Sequence, residues 1–167
     1  MKFSVKWMAY VAVFSAFAAV ISYIETLIPL NIGIPGVKPG LANFVIVIAL
    51  YELGSREAFF VNLIRILIVG LLFGNVFSIL FSIAGAVISL CTMIIAKKIK
   101  GLSIIGISIC GGVAHNIGQI IVAAFVVNTF SIVYYVPVLI IAGLITGLII
   151  GILCKSLQPF IHSATRI

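Results

Sequence analysis

Long apolar runs, each closed by a short polar or Gly/Pro segment, organise this chain from end to end. The first run, Val5 to Ile28, has Lys2 before it and Lys6 at its start and is too long for a signal-peptide core, so it reads as a first helix. Pro29 to Gly40 (PLNIGIPGVKPG) carries three prolines and three glycines and reads as a loop. Leu41 to Tyr51 predicts a short second helix with an irregular lead-in, and GSRE at Gly54–Glu57 a tight turn. A third helix is expected over Ala58–Phe73, with a break at Gly74-Asn75. A fourth follows over Val76–Ala96, stopping at KKIK (Lys97–Lys100). A fifth is expected from about Leu102 to Val127, then a loop over Asn128–Ser131. The sixth spans about Val133–Cys154, and Lys155 opens a short polar tail. Nothing in the pattern marks a linker or a second domain, so residues 1–167 read as one transmembrane domain.

Composition narrows this to one class. Hydrophobic residues make up 64% of the 167 positions and charged residues 8%, with no Asp. Soluble domains carry about 25% charged residues. A soluble enzyme, a disordered tail and a nucleic-acid module are excluded, and the expected class is an all-α polytopic membrane protein. A spanning helix takes about 20 apolar residues, which leaves room for five to seven helices and no soluble catalytic domain. The basic residues sit between the apolar runs, where they set topology and meet anionic lipid rather than nucleic acid. With six spans and the N-terminus inside, the inner segments hold Lys2, Lys6, Arg56, Lys97, Lys98, Lys100, Lys155 and Arg166, and the outer segments only Lys38. Both termini are therefore expected in the cytoplasm of a multi-pass cell-membrane protein, with the Pro/Gly loop outside. Cys91, Cys110 and Cys154 lie far apart inside apolar runs and read as packing residues.

Polar side chains within the apolar runs are the candidate chemistry, because ionisable groups at membrane depth are costly. Arg65 falls mid-way along the third helix. It stays charged, so it needs an anionic partner or a wet cavity. The options are Glu25 on the first helix, a bound anion, or the carbonyls of a broken helix. Glu25 lies roughly 11 Å beyond the middle of its helix at 1.5 Å per residue, which favours the cavity. His115, Asn116 and Gln119 share one face of the fifth helix and present either a ligand site or interhelical glue. Glu25, Asn43, Asn75 and Gln119 project to the outer half, and Arg65, His115 and Asn116 near the middle. The expected site is an outward pocket lined by Asn43, Arg65, His115, Asn116 and Gln119, with Lys38 at its mouth. The segment Ile34–Gly40, with Pro35, Gly36, Pro39 and Gly40, would close over it. Asn62 reads as packing glue in the inner half.

Small residues mark close-packing faces. They are Gly106/Cys110/Ala114/Gly118, Gly143/Gly147/Gly151, Ala12/Ala16 and Ser15/Ala19. Spacing leaves open whether each packs within the chain or against a partner. No P-loop is present, and no repeated half with broken helices. No His/Cys/Asp/Glu cluster has metal-ligand spacing, and the lack of any Asp weakens Mg²⁺-diphosphate chemistry. No metal, cofactor or catalytic residue is expected.

Three stretches carry a resemblance: IPGVKPGLAN (Ile34–Asn43), NLIRILIVGLLFGN (Asn62–Asn75) and GVAHNIGQI (Gly112–Ile120). They resemble the membrane family labelled heptaprenyl diphosphate synthase component I, also called the Gx transporter family, over most of the chain. That family is similar to the substrate-binding S components of energy-coupling factor (ECF) vitamin importers. The resemblance implies six helices, cytoplasmic termini, an outward site and a loop between the first two helices that closes over substrate. It also implies an AxxxA face on the first helix for a scaffold subunit, matched here by Ala12 and Ala16, with two ATPase subunits supplying energy. The expected function is capture of a small vitamin-like or anionic molecule, not enzyme catalysis. The alternative is a membrane component of isoprenoid-quinone biosynthesis or flavin-linked electron transfer, as the synthase label suggests.

Overall fold

The structure is a computed structural model that describes residues 4–27, 40–127 and 134–165. Among these, six helices follow one another: α1 Val5–Leu27, α2 Ala42–Glu52, α3 Ser55–Phe73, α4 Val76–Lys97, α5 Ile104–Val127 and α6 Val136–Thr165. Four contain stretches long and apolar enough to cross a membrane: Val5–Glu25, Val76–Lys97, Ile104–Val126 and Val136–Ser163. The 19-residue α3 is not among them; Arg56, Glu57 and Arg65 interrupt its apolar surface. The 11-residue α2 is apolar but too short, since at about 1.5 Å per residue it falls well below a bilayer core of roughly 30 Å.

Helix α2 is the most deeply buried of the six helices among the described residues. Val45 through Leu50 are all at most 2% exposed, so every side of the helix is covered. That fits a helix that is apolar all round, which has no polar face to turn outward. It packs against α1, α3 and α6, and the contacts α1–α3, α3–α4, α4–α5 and α5–α6 complete a ring.

The helices of that ring meet in two ways. The α6 stripe Gly143, Gly147 and Gly151 lies directly on the α5 backbone, so it packs within the chain. A Cβ at Gly147 would stand 2.7 Å from Ile109 Cα, and one at Gly151 2.7 Å from Ile105 Cα. The other side of α5 meets α4 as closely, with Gly118 against the Ala84 carbonyl and Gly85. Ser89 Oγ adds a 2.8 Å hydrogen bond to the Gly111 carbonyl. Between α1 and α3 the spacers are side chains. Trp7 meets Phe60 edge-on at 5.5 Å, and Tyr23 lies 4.6 Å from Phe73.

One end of the bundle gathers the polar ties. Trp7 Nε1 donates to Glu57 at 2.7 Å, and the Arg56 guanidinium lies 5.5 Å from the Trp7 ring centre. Lys97 Nζ donates to the Leu50 carbonyl at 2.8 Å and sits 4.6 Å from the Tyr51 ring centre. Glu52 accepts from Gln158 at 3.3 Å and lies 2.6 Å from His162 Nδ1.

Two boundaries differ from the sequence pattern. Ser55–Glu57 forms the first turn of α3 rather than a loop. The bend rests on Gly54 alone, whose φ of 125° suits glycine. The tail after Cys154 is helical to Thr165 despite Pro159. Gln158 and His162 lie one turn apart on α6, and Glu52 engages both, so a contact from α2 holds a segment that local preference would release.

Candidate functional site

Inside the ring, at the end opposite those polar ties, lies a cavity of about 380 Å³. The α3–α4 connection forms part of its wall through Gly74 and Asn75, and Asn75 caps α4 by accepting the Ser78 N–H at 2.8 Å. Small residues are frequent on its wall: Gly70 of α3, Gly74 just after it, Ser78 and Ser82 of α4, and Gly111 and Gly112 of α5. Phe73, Phe77 and Phe81 add an aromatic wall.

Of the sequence-predicted site residues, Asn43, Arg65, His115, Asn116 and Gln119 all line this one cavity. Gly40 also lines it; at φ 69° it precedes α2 and accepts the Asn43 N–H at 2.8 Å. Lys38 and the lid positions Pro35, Gly36 and Pro39 lie outside the described residues. Ala12 and Ala16 are not part of the cavity wall and lie on an exposed face of α1.

Arg65 is held but not used up. Its Nη1 donates to Ser22 Oγ of α1 at 3.2 Å, and its Nη2 to Asn62 Oδ1 at 2.6 Å. Both acceptors are neutral, so they orient the guanidinium without cancelling its charge. The Nε–H is buried and has no hydrogen-bond partner among the described residues. Glu25 also lines the cavity, and its carboxylate accepts the Leu41 N–H just ahead of α2. A buried donor left unmade costs about 1–3 kcal/mol.

The α5 residues divide. His115 packs its ring beside Gly85, where a Cβ would stand 2.9 Å from both Cε1 and Nδ1. His115 Nδ1 is buried with no hydrogen-bond partner among the described residues. Asn116 donates to the Leu139 carbonyl of α6 at 2.7 Å, so its amide nitrogen serves as interhelical glue. Asn62 was set apart from the site by sequence, yet it is a direct partner of Arg65; its i−3 spacing on the same helix was the available signal. Ser22 carried no such signal, since serine is common in membrane helices and only the fold brings α1 alongside Arg65.

Among the described residues no three His, Cys, Asp or Glu side chains come together as metal ligands. The described cavity wall has one carboxylate, Glu25, already engaged by a backbone N–H. The arrangement can bind, orient and desolvate a polar group beside Arg65.

No curated protein and no solved structure matches the chain. The family model for heptaprenyl diphosphate synthase component I matches residues 14–157. That stretch contains every residue of the cavity wall, from Ser22 to Ile150. With a match over most of its length and four helices apolar enough to cross a membrane, the chain belongs to the heptaprenyl diphosphate synthase component I family of membrane proteins.

Proposed function

We propose that this chain is the substrate-capture subunit, or S component, of an ECF-type importer for a small vitamin-like or anionic molecule. The observation that carries the reading is Arg65: a charge on the wall of a membrane-embedded cavity, oriented by neutral partners, with one donor unmade. An Arg at mid-helix costs roughly 2.5–3.5 kcal/mol even on the lenient insertion scale, and a purely structural role would be expected to satisfy its donors. In this reading all six helices are spans. Helix α2 needs no lipid-facing surface because α1, α3 and α6 pack on it and bury Val45 through Leu50. The charge bias puts both termini in the cytoplasm and the cavity outward, with residues 34–40 as its cover. The chain carries no P-loop, so a scaffold subunit and two ATPases supply the energy. The exposed Ala12/Ala16 ridge of α1 is the face for that scaffold, since small side chains let a partner helix approach closely.

The family label points to prenyl diphosphate chemistry, but such chemistry relies on several carboxylates holding Mg²⁺, and this chain has no Asp and only three Glu. Glu52 and Glu57 sit at the far end of the bundle, tied to His162 and Trp7. The residues therefore favour binding over catalysis.

Affinity capture of the tagged chain from its native membranes tests the reading. Wild type should bring down one scaffold protein with ATPase subunits and vanadate-sensitive ATPase activity. Ala12→Leu or Ala16→Leu should lose both while the chain stays folded. Undiminished recovery with either variant counts against the scaffold face, and recovery of no ATPase by wild type counts against the importer.

A further inference from the structure

The charges on the cavity wall bear on which ligand it accepts, an inference that rests on the capture reading above. With His115 neutral, the described wall carries one positive charge, Arg65, and one negative charge, Glu25, which sum to zero. Each is also met from within the protein. Ser22 and Asn62 accept from Arg65, and the Glu25 carboxylate acts on it electrostatically. That carboxylate in turn accepts the Leu41 N–H. Arg65 Nε is buried, out of a ligand's reach. A ligand with a net charge would leave water and find no opposite charge that the wall has not already offset, which is costly. An uncharged ligand meets no such penalty.

Neutral hydrogen-bonding groups on the same wall supply what such a ligand needs. Among the described residues, the side-chain N and O atoms buried without a partner are Ser15 Oγ, Arg65 Nε and His115 Nδ1. The amides of Asn43 on α2 and Gln119 on α5 are not among them and make no hydrogen bond to another described residue, so they stay accessible on the wall. Each offers two donors and an acceptor. Asn116 spends its nitrogen on the Leu139 carbonyl and keeps its Oδ1 acceptor. Phe77 and Phe81, one turn apart on α4, add flat apolar surface. The volume of about 380 Å³ lies at the small end of the roughly 300–1,000 Å³ of small-molecule sites. We propose that the cavity takes a compact, uncharged ring compound bearing both hydrogen-bond donors and acceptors, its polar edge met by Asn43 and Gln119 and its ring laid against Phe77 and Phe81. Amide side chains match an edge that both donates and accepts, and a flat ring fits an offset-stacked contact with phenyl groups.

The test is a thermal-shift and calorimetric screen of the purified full chain in detergent. The probes are matched pairs, nicotinamide with nicotinate, uracil with orotate and benzamide with benzoate, together with zwitterionic phenylalanine. At least one uncharged member should raise the melting temperature while its anionic counterpart does not. Asn43→Ala and Gln119→Met should each weaken that compound by about three- to tenfold, the loss of one hydrogen bond to a neutral partner. Glu25→Gln keeps an acceptor for the Leu41 N–H but leaves Arg65 unopposed, so it should admit the anion that wild type refuses. The proposal is overturned if an anion or phenylalanine binds wild type as well as every uncharged probe, or if no uncharged probe binds. Unchanged affinity in both amide variants overturns it too, as does a folded Glu25→Gln chain that still refuses the anion. If Glu25→Gln does not fold, the probe pairs and the two amide variants decide. These outcomes are independent of scaffold capture: a chain that recovers its ATPases but prefers the anions keeps the importer reading and loses this one.

Discussion

Helices α4, α5 and α6 are joined backbone to backbone, whereas α1 and α3 are held apart by side chains. In the first group, glycines bring one helix onto another so closely that a single added carbon would strike a Cα or a carbonyl. In the second, Trp7, Phe60, Tyr23 and Phe73 set the spacing, and Arg65 reaches across to Ser22. The cavity lies where the two styles of packing meet, between Arg65 on α3 and His115 on α5. In lipid the apolar effect does not drive helices together, so close backbone contact is the main source of adhesion. The cavity draws its wall from both groups, with Ser22 and Arg65 on one side and Ser82, His115 and Thr146 on the other.

Substitutions can break this contrast. The largest effect is expected for Gly147→Leu, because its Cβ would meet Ile109 Cα at 2.7 Å and the Ser108 carbonyl at 2.9 Å, neither of which can swing aside. A loss of more than about 4 kcal/mol is expected, in the range kept for gross overpacking. It would be read as a collapse of the unfolding midpoint in a dodecyl sulfate titration; a midpoint within error of wild type would mean α5 and α6 are not in backbone contact. Next comes Ile48→Ala on α2. Ile48 is 0% exposed, and the truncation should cost about 2–4 kcal/mol by the same titration, less if α1 and α3 close onto the gap. A loss below about 1 kcal/mol would show that the side-chain-spaced half collapses freely. Smallest is Ala12→Leu. This exposed ridge should tolerate the larger side chain within about 0.5 kcal/mol in the isolated chain, although the same change is expected to abolish scaffold capture. A large loss of stability there would place Ala12 in an internal contact.

Much of the site was legible in sequence because polar residues in apolar runs are conspicuous. Arg65, His115, Asn116, Gln119 and Asn43 stood out one by one, and they line a common cavity. Their detailed roles were less legible. Asn116 spends its amide nitrogen on Leu139, a contact that depends on how α5 and α6 are rotated. Asn62 acts behind Arg65, where helical spacing allowed a partner but did not require one.

By itself the sequence determined the class, the number of helices and most of their ends, because apolar run length and the placement of Gly, Pro and charge are local properties. It also marked the small-residue stripes, since spacing alone defines a helix face. Only the tertiary structure decided which stripe was taken. The stripe of Gly143, Gly147 and Gly151 lies against α5, while Ala12 and Ala16 stay exposed on α1. The same holds for the end of α6, helical past Pro159 because Glu52 on α2 meets Gln158 and His162, and for Arg65, whose partner Ser22 is 43 residues away. Such pairings join residues distant along the chain, and helical periodicity carries no information about which faces will meet.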